Sequence, residues 1–424
     1  MFYYNYLPRC FVLTARSAAA NMNNDWELLQ EDLEELKKAF NSGGVEECRS
    51  MLERKLDEWK NIPLNVAVIG NCGVGKSSFI NAIRRITVDD EGAAEVGVTE
   101  TTKKIRSYPH PDNQMMKFWD LPGVGTNEFL RSTYLADIDV DRYDFFLLLT
   151  ATRFTDNDTW LANELVKRNK IYVFVRTKIG VNISKNKKAH PRTHNERVVL
   201  KDIRESTLQY LRANGCDNIP MFLIDSYQLK KFDFEQLEHR LVKDIPKMKK
   251  NVLIMSLQAT SKKMIHLKVA GLRSRMWKVA ALSGAVATVP LPGVFISFDI
   301  DLVVEEAEFY YRQLGLDETS LKRYAKLASC DYLQLRSVVD SRLGCRVIGV
   351  EGIKKLLEEL SKSVPALVTS AVMDEVSRFF STTGSVVGAS LTIAGTYYAL
   401  KLILEKMESV ALGIDKTCIT STIM

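Results

Sequence analysis

Residues Gly70-Asn71-Cys72-Gly73-Val74-Gly75-Lys76-Ser77, followed by Ser78, fit the pattern G-x-x-x-x-G-K-[ST] at every fixed position. These types at this spacing suit one kind of chemistry, the cradling of phosphate oxygens. The glycines let the backbone turn its N–H groups inward, and a helix starting after the loop adds positive dipole. Lys76 is then placed to reach the β- and γ-phosphates, and the Ser77 hydroxyl to ligate magnesium. A chance glycine-rich turn is the competing reading. Context argues against it: Asn65-Val66-Ala67-Val68-Ile69 runs in as a short β-branched strand, and Ser78-Phe79-Ile80-Asn81-Ala82-Ile83 leaves with helical spacing.

A second element stands at Asp120-Leu121-Pro122-Gly123, closing the candidate strand Phe118-Trp119-Asp120. A D-x-x-G in that place puts Asp120 near the magnesium, through water, and the Gly123 N–H near the γ-phosphate. Between the two motifs lies Gly97-Val98-Thr99-Glu100-Thr101-Thr102. A threonine there closes onto magnesium and γ-phosphate and orders the loop in the triphosphate state only; the alternative is a solvated polar turn. Val124-Gly125-Thr126 follows Gly123, so a water-orienting Gln is missing. Slow intrinsic hydrolysis is expected, or a catalytic group from elsewhere.

The elements that must position these residues follow from periodicity. Phe145 to Leu149, Ile171 to Val175 and Met221 to Ile224 are further strand candidates, most of them separated by helical stretches from Pro63 to about Met248. Such alternation predicts a mainly parallel, doubly wound sheet with its ligand at the strand carboxyl ends. Ahead of it, Trp26, Leu29, Leu33, Leu36 and Phe40 mark one amphipathic helix, ended by Ser42-Gly43-Gly44. Val45, Cys48, Leu52, Leu56 and Trp59 mark another, ended by Asn61-Ile62-Pro63. This pair must pack elsewhere than on the sheet.

From about Lys249 strands vanish and helical spacing dominates, as in Ile353 to Leu360 and Val372 to Phe380. Val279 to Phe298 and Phe379 to Leu400 are long and nearly or wholly free of charge. Pro290 and Pro292 divide the first, which favours a buried helical hairpin, and the second carries several serines and threonines. For both, a buried helix stands against a membrane span, with a helix lying on the membrane between these readings. Residues 1–24 read either as a leader ahead of an alternative start at Met22 or as a weak targeting peptide.

At 424 residues the chain suggests two or three domains. Its 46% apolar and 26% charged residues are ordinary for a globular protein, and a net charge of +6 suits a phosphate ligand or an anionic membrane surface without marking nucleic-acid binding. The 7 cysteines are dispersed, with no C-x-x-C, and read as reduced thiols. The 5 histidines show no ligand spacing; His190 and His194 form the only close pair.

With these residues in place the chain resembles the immunity-related GTPases, the interferon-inducible family. The resemblance runs from about Asp25 over nearly the whole chain. It rests on Gly70 to Asn81, Glu91-Gly92-Ala93-Ala94, Phe118 to Gly125 and Tyr143-Asp144-Phe145-Phe146. It continues through Ala151 to Phe154, Phe174 to Lys178, Asp202-Ile203-Arg204, Asp233-Phe234, Phe309-Tyr310 and Gly315 to Glu318. It implies an α/β P-loop G domain over 62–248, inserted in an all-α helical domain formed by helices of 25–61 and 249–412, with a tail at 413–424. It implies GTP and GDP with Mg2+ as ligands, GTP hydrolysis after dimerisation across the nucleotide faces, and cell-autonomous innate immune defence. It further implies a cytoplasmic protein peripherally bound to endoplasmic reticulum or vacuolar membranes. By the family pattern Thr102 is the switch threonine and a magnesium ligand beside Ser77, and Glu100 is the glutamate that acts in hydrolysis, with Lys76.

The base-reading end departs from that pattern. Where Thr-Lys-x-Asp belongs, the chain has Thr177-Lys178-Ile179-Gly180, and Asp225-Ser226 stands where Ser-Asn is usual. A carboxylate at 180 would accept two hydrogen bonds from guanine N1 and N2, and its loss costs on the order of 10²-fold in affinity. Gly180→Asp is therefore expected to tighten guanine binding. The assigned nucleotide contacts are Gly70 to Ser78, Thr102, Asp120, Gly123, Thr177, Lys178, Asp225 and Ser226. Three readings remain: a GTP-hydrolysing enzyme, a nucleotide-binding pseudo-GTPase that regulates or scaffolds, and an ATP-using P-loop protein.

Overall fold

The structure, a computed structural model, describes residues 26–97, 104–125, 129–216, 220–287, 295–328, 330–344, 352, 355–356 and 396–414. These fall into two compact units. One takes the chain up to Trp59, Gln258–Lys322 and the chain from Cys330 onward; the other takes Lys60–Leu257 with Arg323–Ser329.

Helix α1 (Trp26–Asn61) is interrupted at Gly44, whose φ of 69° and ψ of −147° are not helical. A positive φ is cheap only without a Cβ, so the break falls where the sequence places it. Sheet formation begins right after Pro63. Strands β1 (Leu64–Ile69), β2 (Arg106–His110), β3 (Asn113–Leu121), β4 (Phe145–Thr150), β5 (Ile171–Arg176) and β6 (Met221–Leu223) build one sheet in the order β2-β3-β1-β4-β5-β6. Every pairing but that of β2 with β3 is parallel. All six residues of β4 are buried, as expected for a central strand covered on both faces.

The edge strand β2 has no counterpart in the sequence reading. Its Arg-Ser-Tyr-Pro-His lacks an apolar run, and Pro109 argues against a strand. At a sheet edge a proline is tolerated because only one side of the strand must pair; here the register shifts between Pro109 and His110.

Helices α2 (Lys76–Ile83), α3 (Tyr134–Asp137), α4 (Asp156–Lys167), α5 (Ile179–Ala189), α6 (Glu196–Ala213), α7 (Phe234–Asp244) and α8 (Lys247–Ser256) complete this unit. The chain beyond α2 is tied to α7 by a buried ion pair, with an Arg85 nitrogen 2.8 Å from Glu238 Oε1. Burial pushes the Glu238 carboxyl up, and the Arg85 guanidinium opposes the shift.

The other unit is helical throughout its described residues, with α9 (Lys262–Ala287), α10 (Phe295–Gln313), α12 (Tyr332–Leu343) and α13 (396–414); α11 (Glu318–Ala328) lies between α10 and α12 in the chain. Arg275 of α9 donates to Glu306 of α10 at 2.8 Å and to the Leu56 carbonyl of α1. Its guanidinium also lies 4.3 Å from the Phe309 ring centroid, so one cation ties three helices. Ser283 of α9 and Thr396 of α13 meet at 3.0 Å in the interior.

Of the two charge-poor stretches, Val279 to Phe298 is described only on either side of 288–294, and most of Phe379 to Leu400 lies outside the described residues, as do Ile353, Leu360, Val372 and the leader. Among the described residues no helix is long and apolar enough to cross a membrane. Cys48, Cys72 and Cys216 are reduced, but Cys330 is disulfide-bonded. That departs from the expectation of reduced thiols throughout, because spacing along a chain says nothing of which sulfurs meet in space.

Candidate functional site

Strand order reverses at β1, which lies between β3 and β4. A crevice forms at the carboxyl end of such a switch point, and every described candidate residue lies at or just past the carboxyl end of a strand paired in parallel. Gly70 leaves β1, Asp120 and Gly123 close β3, Thr177 follows β5 and Asp225 follows β6.

The phosphate loop is shaped by close backbone approach. A Cβ on Gly70 would lie 2.4 Å from the Leu149 carbonyl oxygen of β4. Gly73 and Gly75 have φ of 75° and 93°, and Gly75 is the residue from which α2 starts. The D-x-x-G glycine is equally constrained, since a Cβ on Gly123 would stand 2.7 Å from Asn71 Oδ1 and 3.3 Å from the Gly70 carbonyl oxygen.

Three chemically active side chains meet over this loop. Lys76 Nζ donates to the Gly70 carbonyl at 3.0 Å and lies 3.9 Å from Asp120 Oδ1. Ser77 Oγ donates to Asp120 Oδ2 at 3.4 Å. Lys76 is 6% exposed and Asp120 2%, so their charges face each other with little water between and are weakly screened. Register brings them together: Asp120 lies opposite Val68 in the parallel pair β1–β3, two residues before the loop begins.

A hydroxyl and a carboxylate are hard oxygen donors that fit Mg2+, a cation bound through one or two protein oxygens with phosphate and water supplying the rest. Among the described residues no cluster of three or more His, Cys, Asp or Glu could hold a metal, so the donor set suits a cation that arrives with a phosphate ligand. Thr102 and Glu100 lie outside the described residues.

At the other end of the crevice three loops are knitted together. Thr177 Oγ1 donates to the Val74 carbonyl at 2.6 Å, with the Thr150 carbonyl 3.2 Å away. Lys178, in the left-handed region at φ 58°, donates from Nζ to the Gly73 carbonyl at 2.6 Å. Ser78 Oγ and Tyr227 Oη approach to 3.2 Å. Asp225, 4% exposed, accepts from the Gly180 N–H at 3.0 Å and from the Tyr227 N–H at 2.9 Å. Ser226 beside it is half-buried.

Sequence reasoning missed Tyr227, Gln228 and Asn157. Asn157 donates to the Val124 carbonyl at 3.0 Å; it sits in the first turn of α4, which opens on a capping box of Thr155 and Asp158. Burial raises the Asp158 carboxyl, and the hydrogen bonds from Thr155 oppose the shift. The box was readable as T-x-x-D; what Asn157 reaches was not. Gly180→Asp also changes meaning: a Cβ at 180 would lie 2.6 Å from Gln228 Nε2 and 2.7 Å from Asp225 Oδ2. A new carboxylate would collide with an existing one rather than fill an empty place.

A family model described as Interferon-inducible GTPase (IIGP) matches residues 29–381. Interferon-gamma-inducible GTPase 10 of Mus musculus is 31% identical over 376 residues, covering 89% of this chain and 86% of that protein. T-cell-specific guanine nucleotide triphosphate-binding protein 2 of Mus musculus is 36% identical over 282 residues, 66% of this chain and 68% of its own length. Interferon-inducible GTPase 1 of Mus musculus is 34% identical over 312 residues, covering 74% and 76%.

Proposed function

Because the chain belongs to the interferon-inducible GTPase family, we propose that it binds GTP and GDP with Mg2+ and hydrolyses GTP to GDP and phosphate. One observation carries the reading: Lys76, Ser77 and Asp120 converge, buried, over a glycine loop at the carboxyl end of β1. The inward N–H groups of residues 73–77 and the α2 dipole hold the phosphates. Lys76 exchanges its Gly70 partner for β- and γ-phosphate oxygens, and Ser77 with Asp120 holds the magnesium, which neutralises phosphate charge when bound. The Gly123 N–H faces the γ-phosphate. Thr102 and Glu100 carry the switch and hydrolytic roles that the family pattern gives them.

With no Gln after Gly123, hydrolysis is slow in the lone molecule and completed by a second copy across the nucleotide face. The nucleotide domain over 62–248 interrupts a helical domain of 25–61 and 249–412. The apolar stretch from Phe379, bounded by Arg378 and Lys401, lays the protein peripherally on intracellular membranes, where it acts in cell-autonomous defence. Its cations suit anionic head groups.

Gly180 favours a second reading, a pseudo-GTPase that binds nucleotide and regulates or scaffolds. Titration with labelled GTP, GDP, XTP and ATP, followed by phosphate release over a wide range of protein concentration, separates the two. GTP preference with turnover rising with concentration supports the enzyme. Binding without turnover at any concentration leaves the pseudo-GTPase, and no triphosphate binding sinks both.

A further inference from the structure

In α5 Gly180 occupies a helical position in the first turn, and glycine is a poorer helix former than alanine. Its φ is not in the left-handed region, so backbone conformation does not call for it. Space does. A Cβ at 180 would meet Gln228 Nε2 at 2.6 Å, Asp225 Oδ2 at 2.7 Å and Asp225 Cγ at 3.4 Å. The Asp225 carboxylate, with the Gln228 amide beside it, thus fills the volume in which a side chain at 180 would begin.

We propose that Asp225 supplies the guanine-reading carboxylate that the 177–180 loop lacks, so that both departures in the base pocket are a single exchange of one side chain between neighbouring loops. This rests on the guanine-nucleotide reading above and names the residue that gives it specificity.

Two properties suit Asp225 to the task. Its carboxylate is held still, each oxygen accepting one backbone N–H among the described residues: Oδ2 that of Gly180, Oδ1 that of Tyr227. A carboxylate oxygen has room for two acceptor bonds. Each oxygen therefore keeps acceptor capacity beyond that bond, which is what the N1–H and N2–H donors of guanine require of a carboxylate. The group is also in the right neighbourhood. Thr177 and Lys178 bond to carbonyls of the phosphate loop, and Tyr227 Oη reaches Ser78 Oγ, so the loops of 180 and 225 are pinned to the end of the loop that holds phosphate. Asp225 also places negative charge at the start of α5, which stabilises that helix end. A mere helix cap would show no preference among bases, and this is where a test divides the two roles.

Equilibrium affinities of the full chain for GTP, ITP, XTP and ATP, each with Mg2+, are the measurement. The wild type is expected to bind GTP at least about tenfold tighter than ITP, which lacks the 2-amino group, and tighter still than ATP. Asp225→Asn should lose at least about tenfold for GTP and gain about as much for XTP, whose C2 carbonyl accepts from the new amide. Gly180→Asp should weaken GTP by crowding two carboxylates, and Gly180→Asp with Asp225→Ser should recover it.

Wild-type affinities that are equal for GTP and ATP overturn the proposal. So does Asp225→Asn with GTP binding unchanged, or with all four triphosphates weakened alike, since that leaves only a loop brace. A double variant no better than Gly180→Asp also overturns it. A wild type that binds none of the four overturns the nucleotide reading itself.

Discussion

The phosphate end and the base end of the crevice are built from the same sheet by different means. At the phosphate end the backbone sets the shape: a carbonyl at Gly70 accepts from Lys76, and glycines admit β4 and Asn71 at distances no Cβ would survive. At the base end the work is done by side chains from two loops, with Thr177, Lys178 and Asp225 each crossing to a neighbour. A backbone cradle demands glycine at given positions, so its sequence pattern is rigid. A side-chain pocket demands only that a group arrive at a point in space, and either of two adjacent loops can deliver it.

Substitutions that break this contrast are expected to differ in size and kind. Lys76→Ala removes the ammonium placed to reach the β- and γ-phosphates, and GTP affinity should fall by roughly a thousandfold, about 4 kcal/mol, for every base alike. Isothermal titration with GTP and ATP checks this; an unchanged affinity removes the phosphate loop from the site. Gly70→Ala drives a methyl into the Leu149 carbonyl and should cost about 2 kcal/mol of folding stability, read by urea denaturation, because the Leu149 backbone cannot yield and Val74 Cγ2 stands 2.9 Å away.

At the base end the effects are smaller and selective. Gly180→Ala adds only a methyl and replaces a poor helix former with the best, yet it displaces Asp225 and should lower the GTP-to-ATP affinity ratio about tenfold, roughly 1.4 kcal/mol. An unchanged ratio means Asp225 does not read the base. Thr177→Val keeps the shape but loses the bond to the Val74 carbonyl, and about 1 kcal/mol of stability should go with it. Thermal denaturation measures this, and a melting temperature equal to wild type would show that the tie between loops contributes nothing.

Much of the fold was legible in the chain. The β-branched or aromatic strands β1, β4 and β5 are buried runs that no solvated element could carry, and the helix break at Gly44 announces itself by glycine. The strand β2 was not legible, because Arg106 to His110 have no apolar signature and are held only by pairing with β3. Asp120 was found by motif; that it would stand 3.4 Å from Ser77 follows from strand register, which no local pattern encodes. Glu100 and Thr102 rest on sequence alone, lying outside the described residues.

What the sequence determined by itself was whatever local backbone geometry dictates: the glycine loop, the helix that follows it, the alternation of strand and helix, and the family. Tertiary structure alone decided what stands beside Gly180. Read along the chain, Gly180 is a lost carboxylate and Asp225 a change in another loop, 45 residues away. In the folded sheet β5 and β6 are neighbours, and the space beside Gly180 is taken by the Asp225 carboxylate and the Gln228 amide. Sequence order carries no measure of that distance; strand pairing does.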